Sequence, residues 1–267
     1  MTALQEFYGF TTQPFNITTD AEFFFESRPH QEALASLRYG IEERKGIILI
    51  TGEVGTGKTT LCKALLERLP SAVRSSFIMS PYFSDIQLLQ AIVEDFGLEP
   101  EKRTRLDIVK KLDAFLIDLS LKQGNAVLII DEAQNLKARQ LEQIRLLSNL
   151  ETKHGKLLQI VLVGQPELMA HLKRFDLRQI YQRIAVKYDL QPLEFQDVKK
   201  YIQFRLERSG AGGISIHPEG FRLIHEFSKG IPRLVNMLCD RALLLGFVRK
   251  EKVLGPDIFI AAMEEVR

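Results

Sequence analysis

The chain has 267 residues, 45% of them hydrophobic and 26% charged, with 36 Lys and Arg against 34 Asp and Glu for a formal charge of +2. That mixture belongs to a folded globular protein and argues against a disordered chain or a coiled coil. A near-neutral balance neither demands nor excludes nucleic acid. At this length roughly two-thirds to three-quarters of the unfolded surface is buried, enough for one large domain or two small ones. Cys62 and Cys239 lie far apart with no Cys-x-x-Cys, which argues against a disulfide scaffold or structural zinc and fits a reducing compartment. Met1–Phe10 lacks a basic segment followed by an apolar core, so no signal peptide is expected. The apolar runs Ala126–Ile130 and Ile160–Gly164 are far shorter than the roughly 20 residues of a membrane span. Membrane attachment is therefore expected only through a partner or a surface helix.

Residues 4–29 are rich in aromatics (Phe7, Tyr8, Phe10, Phe15, Phe23, Phe24, Phe25) and broken by Pro14 and Pro29, as for a strap packed on the domain body. A helix is predicted over His30–Glu43, with Leu34, Leu37 and Ile41 at helical spacing. Ile47–Thr51 reads as a buried strand, Lys58–Leu69 as a helix, Val73–Met79 as a strand, and Ile86–Phe96 and Leu106–Leu121 as helices. Ala126–Ile130 and Leu158–Val163 are continuous apolar runs, the pattern of strands covered on both faces. Ala138–Leu150 and most of Leu168–Ile180 read as helical, and Ile184–Leu190 as a fifth strand. This order predicts an α/β fold with a mostly parallel five-stranded sheet between helical layers. After Pro192 come four helical segments, Phe195–Arg208, Pro218–Phe227, Pro232–Phe247 and Pro256–Val266, and no strong strand. A boundary near Leu190–Glu194 divides an expected α/β core, 1–190, from an all-helical domain, 191–267.

Gly52-Glu53-Val54-Gly55-Thr56-Gly57-Lys58-Thr59 fits the phosphate-loop pattern in full, with a strand before it and a helix after it. Its glycines allow a tight wrap in which backbone N–H groups face phosphate oxygens. Lys58 is expected on the β- and γ-phosphates and Thr59 on Mg²⁺, with Thr60 in the same helical first turn. In Val127-Leu128-Ile129-Ile130-Asp131-Glu132, two acids end a buried strand. Asp131 is the second candidate for Mg²⁺, and Glu132 for polarising the attacking water. Gln165, ending the fourth strand, is placed to sense the γ-phosphate or orient water, with capping of the turn before Pro166 as the alternative. Arg174, Arg178 and Arg183 precede the fifth strand. In a ring or spiral one of them could enter a neighbour's site; Arg183 is preferred, then Arg178. Arg233, after Gly230-Ile231-Pro232, could reach phosphate from the helical domain. His30 is a candidate on the nucleotide side, with a helix-capping or surface role as the alternative. His154, His171, His217 and His225 show no ligand spacing. Arg103, Arg105, Lys110 and Lys111 read as a solvated face rather than a nucleic-acid patch.

The phosphate loop, Ile-Ile-Asp-Glu-Ala-Gln, Val-Leu-Val-Gly-Gln-Pro-Glu-Leu and Gly-Ile-Pro-Arg together resemble the AAA+ ATPases. More narrowly, Phe7-Tyr8-Gly9-Phe10 with Pro14-Phe15, the helix from His30, and Gly164-Gln165-Pro166-Glu167-Leu168 resemble the ATPase domain of the general secretion pathway protein A type. The resemblance implies a RecA-like core with a helical lid, ATP and ADP as the nucleotides, Mg²⁺, Gln165 as first sensor and Arg233 as second. It implies nucleotide-dependent self-association into a ring or spiral, with subunits completing one another's sites. It also implies a cytoplasmic location at the inner face of the inner membrane, through an inner-membrane secretion partner or a further C-terminal region. The full secretion protein continues into a transmembrane and a peptidoglycan-binding part, neither of which is legible in these residues. Transposition-type ATPases resembling MuB, TniB and TnsC share the core motifs and bind DNA. A DNA-bound regulator is thus the alternative to a secretion ATPase, and a slow nucleotide-gated adaptor is a third reading. The N-terminal segment favours the secretion type.

Overall fold

The computed structural model describes residues 2–16, 23–79, 81–102, 104–153, 155–210 and 212–266. These fall into two compact units. The sheet unit comprises Gln31–Gly52 and Leu61–Leu190. The helical unit comprises the described parts of Met1–His30, Glu53–Thr60 and Gln191–Arg267.

In the sheet unit, five parallel strands lie in the order β2-β3-β6-β1-β7. They are β1 (Ile47–Thr51), β2 (Val73–Ile78), β3 (Asn125–Ile130), β6 (Leu158–Gly164) and β7 (Ile184–Asp189). Strand β1 pairs with β6 in the register Ile47–Ile160 to Thr51–Gly164, and β3 with β6 from Ala126–Leu158 to Ile130–Leu162. The three central strands bury both faces almost without interruption, whereas β2 and β7 at the edges alternate. A buried Ile, Leu or Val contributes about 1.5–3 kcal/mol, so the central apolar runs fix strand order while the edges carry the polar residues. The helices α4 (Asp85–Asp95), α5 (Arg105–Leu121) and α6 (Ala138–Leu147) contribute Leu89, Ile92, Leu112, Leu116, Leu141 and Ile144 to this core. Because the strands are parallel, Thr51, Ile130, Gly164 and Asp189 all lie at one end of the sheet, where open α/β sheets bind ligands.

The helical unit holds α1 (Ala3–Tyr8), α9 (Phe195–Arg208), α10 (Pro218–Ser228), α11 (Pro232–Arg249) and α12 (Pro256–Val266). Thr2 and Gln5 form a capping box on α1, and Gly9 closes it at φ 75°. Tyr8, Phe10 and Phe15 are fully buried among Val198, Tyr201, Leu238 and Phe259. Tyr8 Oη donates to the Leu243 carbonyl at 3.0 Å. Buried Arg205 fastens the strap to α9. Its Nε donates to the Pro14 carbonyl, Nη2 to the Asn16 carbonyl at 3.1 Å and Nη1 to Tyr201 Oη at 2.8 Å. Its guanidinium lies 4.7 Å from the Phe23 ring centre. Burial pushes the Cys239 thiol up, which makes it an inert core residue.

Several expectations are corrected. The strap was assigned to the first domain, but its aromatic side chains fill the core of the helical unit, and Glu53–Thr60 groups there too. The segment Leu168–Ile180, expected to be mostly helical, is so, as α7 (Pro166–Leu172), a 3-10 turn at Phe175–Leu177 and α8 (Arg178–Tyr181). The break falls at Arg174, which is extended and ion-paired to Asp176 at 3.2 Å. Helix α6 ends at Leu147, and a short antiparallel pair follows, β4 (Glu151–Thr152) with β5 (Gly155–Lys156), tied by the Lys156–Glu151 ion pair. The C-terminal part also contains a parallel pair, β8 (Ser215–Ile216) with β9 (Val253–Leu254). Two-residue strands are too short to show alternation. Ile17–Glu22 of the strap, Arg103 and His154 lie outside the described residues.

Candidate functional site

In the helical unit the phosphate loop is built around its lysine. Lys58 opens helix α3 (Lys58–Arg68), is 7% exposed, and donates from Nζ to the Glu53 carbonyl at 2.8 Å. Thr56 Oγ1 donates to the same carbonyl at 2.9 Å. Gly55 and Gly57 adopt φ of 84° and 99°. A Cβ on Gly55 would sit 2.6 Å from Arg233 Cβ, and one on Gly57 3.0 Å from His30 Nε2. Both glycines are therefore required by conformation and by close approach. Thr59 and Thr60 are half-buried, and Glu53 and Val54 face solvent.

His30 lies in the first turn of α2 (Arg28–Glu42) and is 4% exposed, so the surface alternative does not hold. The Thr56 carbonyl, 3.1 Å from Nε2, can only accept, so Nε2 carries the proton. Nδ1 then accepts from Ser27 Oγ at 2.7 Å. Burial holds the imidazole below its usual range, against the opposing pull of the Thr56 bond, Asp197 and Glu26. His30 thus braces the loop through its backbone. Arg233 sits one residue after Pro232 at the start of α11. Its backbone N–H donates to the Gly55 carbonyl at 3.2 Å, while its side chain is exposed.

In the sheet unit a second constellation follows β3 and β6. Asp131 is 2% exposed; its N–H donates to the Ile78 carbonyl at 2.8 Å, and its Oδ1 accepts from the Glu132 N–H at 2.8 Å. Glu132 adopts φ 50° and ψ 36°, left-handed for a residue with a side chain. Its Oε2 accepts from Gln134 Nε2 and, at 3.4 Å, from Gln165 Nε2. Gln134 Oε1 accepts from the Gln165 N–H at 3.2 Å. At the end of β1, Thr51 Oγ1 donates to Asp189 Oδ1 at 2.6 Å. Asp131 offers a hard oxygen donor, the donor type Mg²⁺ takes when phosphate and water complete its shell.

The arginines are placed variously. Arg174 is ion-paired to Asp176. Arg178 is exposed, with its guanidinium 4.5 Å from the ring centre of exposed Phe175. Arg183 is exposed and acts electrostatically on Glu142 and Glu151. Arg105, Lys110 and Lys111 are exposed along α5. Sequence reasoning missed Gln134, although it stood in the Asp-Glu-Ala-Gln run. It also missed the Thr51–Asp189 bond, which joins residues 138 positions apart and has no local signal.

A family profile described as an AAA domain matches residues 41–172. The chain is 43% identical over 262 residues to general secretion pathway protein A of Aeromonas hydrophila, covering 97% of this chain and 48% of that protein. The chain carries an AAA domain over residues 41–172 within an AAA+ fold. The sequence similarity is to the general secretion pathway protein A type, and the chain spans about half the length of that relative. Drosophila ORC bound to DNA superposes with a TM-score of 0.73 at 17% identity, covering 100% of this chain and 66% of that one. Aeropyrum pernix ORC2, in ADPNP–ADP complexes, gives 0.72 at 19% identity, covering 96% and 72%. The Thermotoga maritima RuvB Holliday junction branch migration motor gives 0.59 at 20%, covering 91% and 70%. These likenesses show that this AAA+ chain shares their fold. Among the described residues, no helix is long and apolar enough to cross a membrane.

Proposed function

We propose that this chain hydrolyses ATP to ADP and phosphate in an Mg²⁺-dependent reaction that drives or times assembly of a bacterial envelope or secretion apparatus. The observation that carries the reading is the phosphate loop itself. Its lysine is held by the loop's own carbonyl, its glycines are conformationally obligatory, and its chain runs from a buried strand into a helix N-terminus. The similarity to general secretion pathway protein A supports the biological setting.

In this reading the backbone N–H groups of Gly52–Thr60 hold the phosphates, and Lys58 neutralises the β- and γ-oxygens. Thr59 and Asp131 would hold Mg²⁺, which would supply charge neutralisation at the transferring phosphoryl group. Glu132 orients the attacking water and accepts its proton, and Gln165 reads the γ-phosphate. Arg233 stabilises developing charge, and Arg183 or Arg178 does so from a neighbouring subunit of a homo-oligomeric ring or spiral. The helices of 191–267 would report nucleotide state as a lid. A location on the cytoplasmic face of the inner membrane, through a partner, follows from the same reading.

The test pairs two variants with one assembly measurement. Lys58→Ala should abolish productive nucleotide binding, and Glu132→Gln should keep ATP but lose turnover. Parental affinity and turnover in Lys58→Ala would sink the phosphate-loop assignment. Light scattering with Mg²⁺ and a non-hydrolysable ATP analogue should show assembly on nucleotide alone. A requirement for duplex DNA would instead support the transposition-type regulator.

A further inference from the structure

We infer that Gln134 is a positioning residue for ATP hydrolysis: its side-chain amide ties the Glu132 carboxylate to the end of β6 and fixes where that carboxylate points. The inference rests on the reading of Glu132 as the water-orienting group.

The direction of the amide follows from chemistry. The Gln165 backbone N–H can only donate, so the atom facing it at 3.2 Å must be the amide oxygen of Gln134. The amide nitrogen is then left to face Glu132 Oε2. The flipped amide would set a donor against a donor and an oxygen against a carboxylate, so it is excluded. Gln134 sits in the 3-10 turn Ala133–Asn135, two residues past Glu132. A single side chain therefore bridges the turn after β3 and the first residue after β6.

Two further observations agree. Glu132 holds φ 50°, a left-handed conformation that is unfavourable for a residue with a side chain. The surrounding bonds must maintain it, and the Gln134 bond is the one made by the carboxylate's own near neighbour. Gly164 leaves the space the bridge needs, since a Cβ there would lie 2.7 Å from Gln134 Oε1. The two amide donors, from Gln134 and Gln165, converge on Oε2. Oε1 is then the oxygen offered to water. A carboxylate held within a few tenths of an ångström of its productive direction is what in-line attack requires.

The test is Gln134→Glu. The new side chain keeps an oxygen for the Gln165 N–H, so the link to β6 survives. It replaces the donor to Glu132 with a second carboxylate, so the hold on Glu132 is lost. Steady-state ATPase activity, ATP-analogue affinity and melting temperature are measured for the parent, Gln134→Glu and Gln134→Ala. Glu132→Gln runs beside them as a control. The expected result is a fall in kcat of about tenfold or more in both Gln134 variants, with analogue affinity and KM changed by less than about threefold. Parental kcat in Gln134→Glu overturns the inference. So does a loss of affinity or of the folded state in step with turnover, which would make the residue a structural tie only. Parental turnover in the Glu132→Gln control would instead break the underlying reading, so the two failures are distinguishable.

Discussion

Gly230 of the Gly-Ile-Pro-Arg motif tests whether close packing or mere chain flexibility selects glycine there. Its φ is 77°, and a Cβ would fall 2.0 Å from the Leu193 carbonyl oxygen and 2.9 Å from its carbon. Backbone cannot swing aside as a flexible side chain can. The same contact carries the Leu193 N–H to Gly230 carbonyl bond of 2.9 Å. For Gly230→Ala the left-handed conformation costs about 1–2 kcal/mol. Overpacking adds about 1–3 kcal/mol, and weakening the hydrogen bond about 1 kcal/mol. The total is about 4 kcal/mol. Gly213 is the control. Its φ of 79° is nearly the same, but no heavy atom of the described residues lies within 4 Å of its would-be Cβ. Gly213→Ala should therefore cost only the conformational share, about 1–2 kcal/mol. At about 2–4 °C per kcal/mol, the melting point should drop roughly 8–16 °C for Gly230→Ala and about 2–8 °C for Gly213→Ala. Thermal unfolding by circular dichroism reads both. Equal drops in the two variants would refute the close-approach argument.

Two other outcomes follow from buried titratable groups in the helical unit. His30 is held below its ordinary value of 6.5, chiefly by burial, so its stabilisation is full above pH 6.5 and is lost as pH falls through the depressed value. The urea midpoint of the parent should fall more steeply from pH 7 to about pH 5 than that of His30→Gln; parallel curves would show that the ring is not held neutral. The Tyr8 hydroxyl is pushed up to about 12 by burial and then by Glu251, so its contribution is full below about pH 10 and is lost as pH rises towards 12. Tyr8→Phe removes the bond to Leu243, should cost about 1–2 kcal/mol at pH 8, and should flatten the loss of stability at higher pH. No change in the urea midpoint at pH 8 would contradict that bond's contribution.

The site was legible to the extent that it is local. The loop from Gly52 to Thr59 and the acids Asp131 and Glu132 stand in short runs beside buried strands, where residue type and spacing suffice. The bracing of the loop was not legible in the same way. His30 reaches Thr56 across 26 positions, and Arg233 reaches Gly55 across 178. No period or spacing encodes such a pairing. Gln134 was visible in its run but had no reason to be chosen until Gln165 was seen to face it.

The same division holds for the fold. The unbroken apolar runs at Ile47–Ile50, Ala126–Ile130 and Leu158–Val163 determined a doubly covered parallel sheet, because strands buried on both faces cannot tolerate alternation. Composition and glycine placement likewise determined a phosphate loop and a helical C-terminal part. Tertiary structure alone decided that the N-terminal aromatics belong to those C-terminal helices, since a run of Phe and Tyr asks only to be buried and does not say where. Arg205 supplies the missing specificity: a buried guanidinium needs fixed acceptors, and the carbonyls of Pro14 and Asn16 provide them. Hydrophobic pattern is non-directional and can be read in one dimension, whereas hydrogen bonds between distant segments exist only once the chain has brought their partners together.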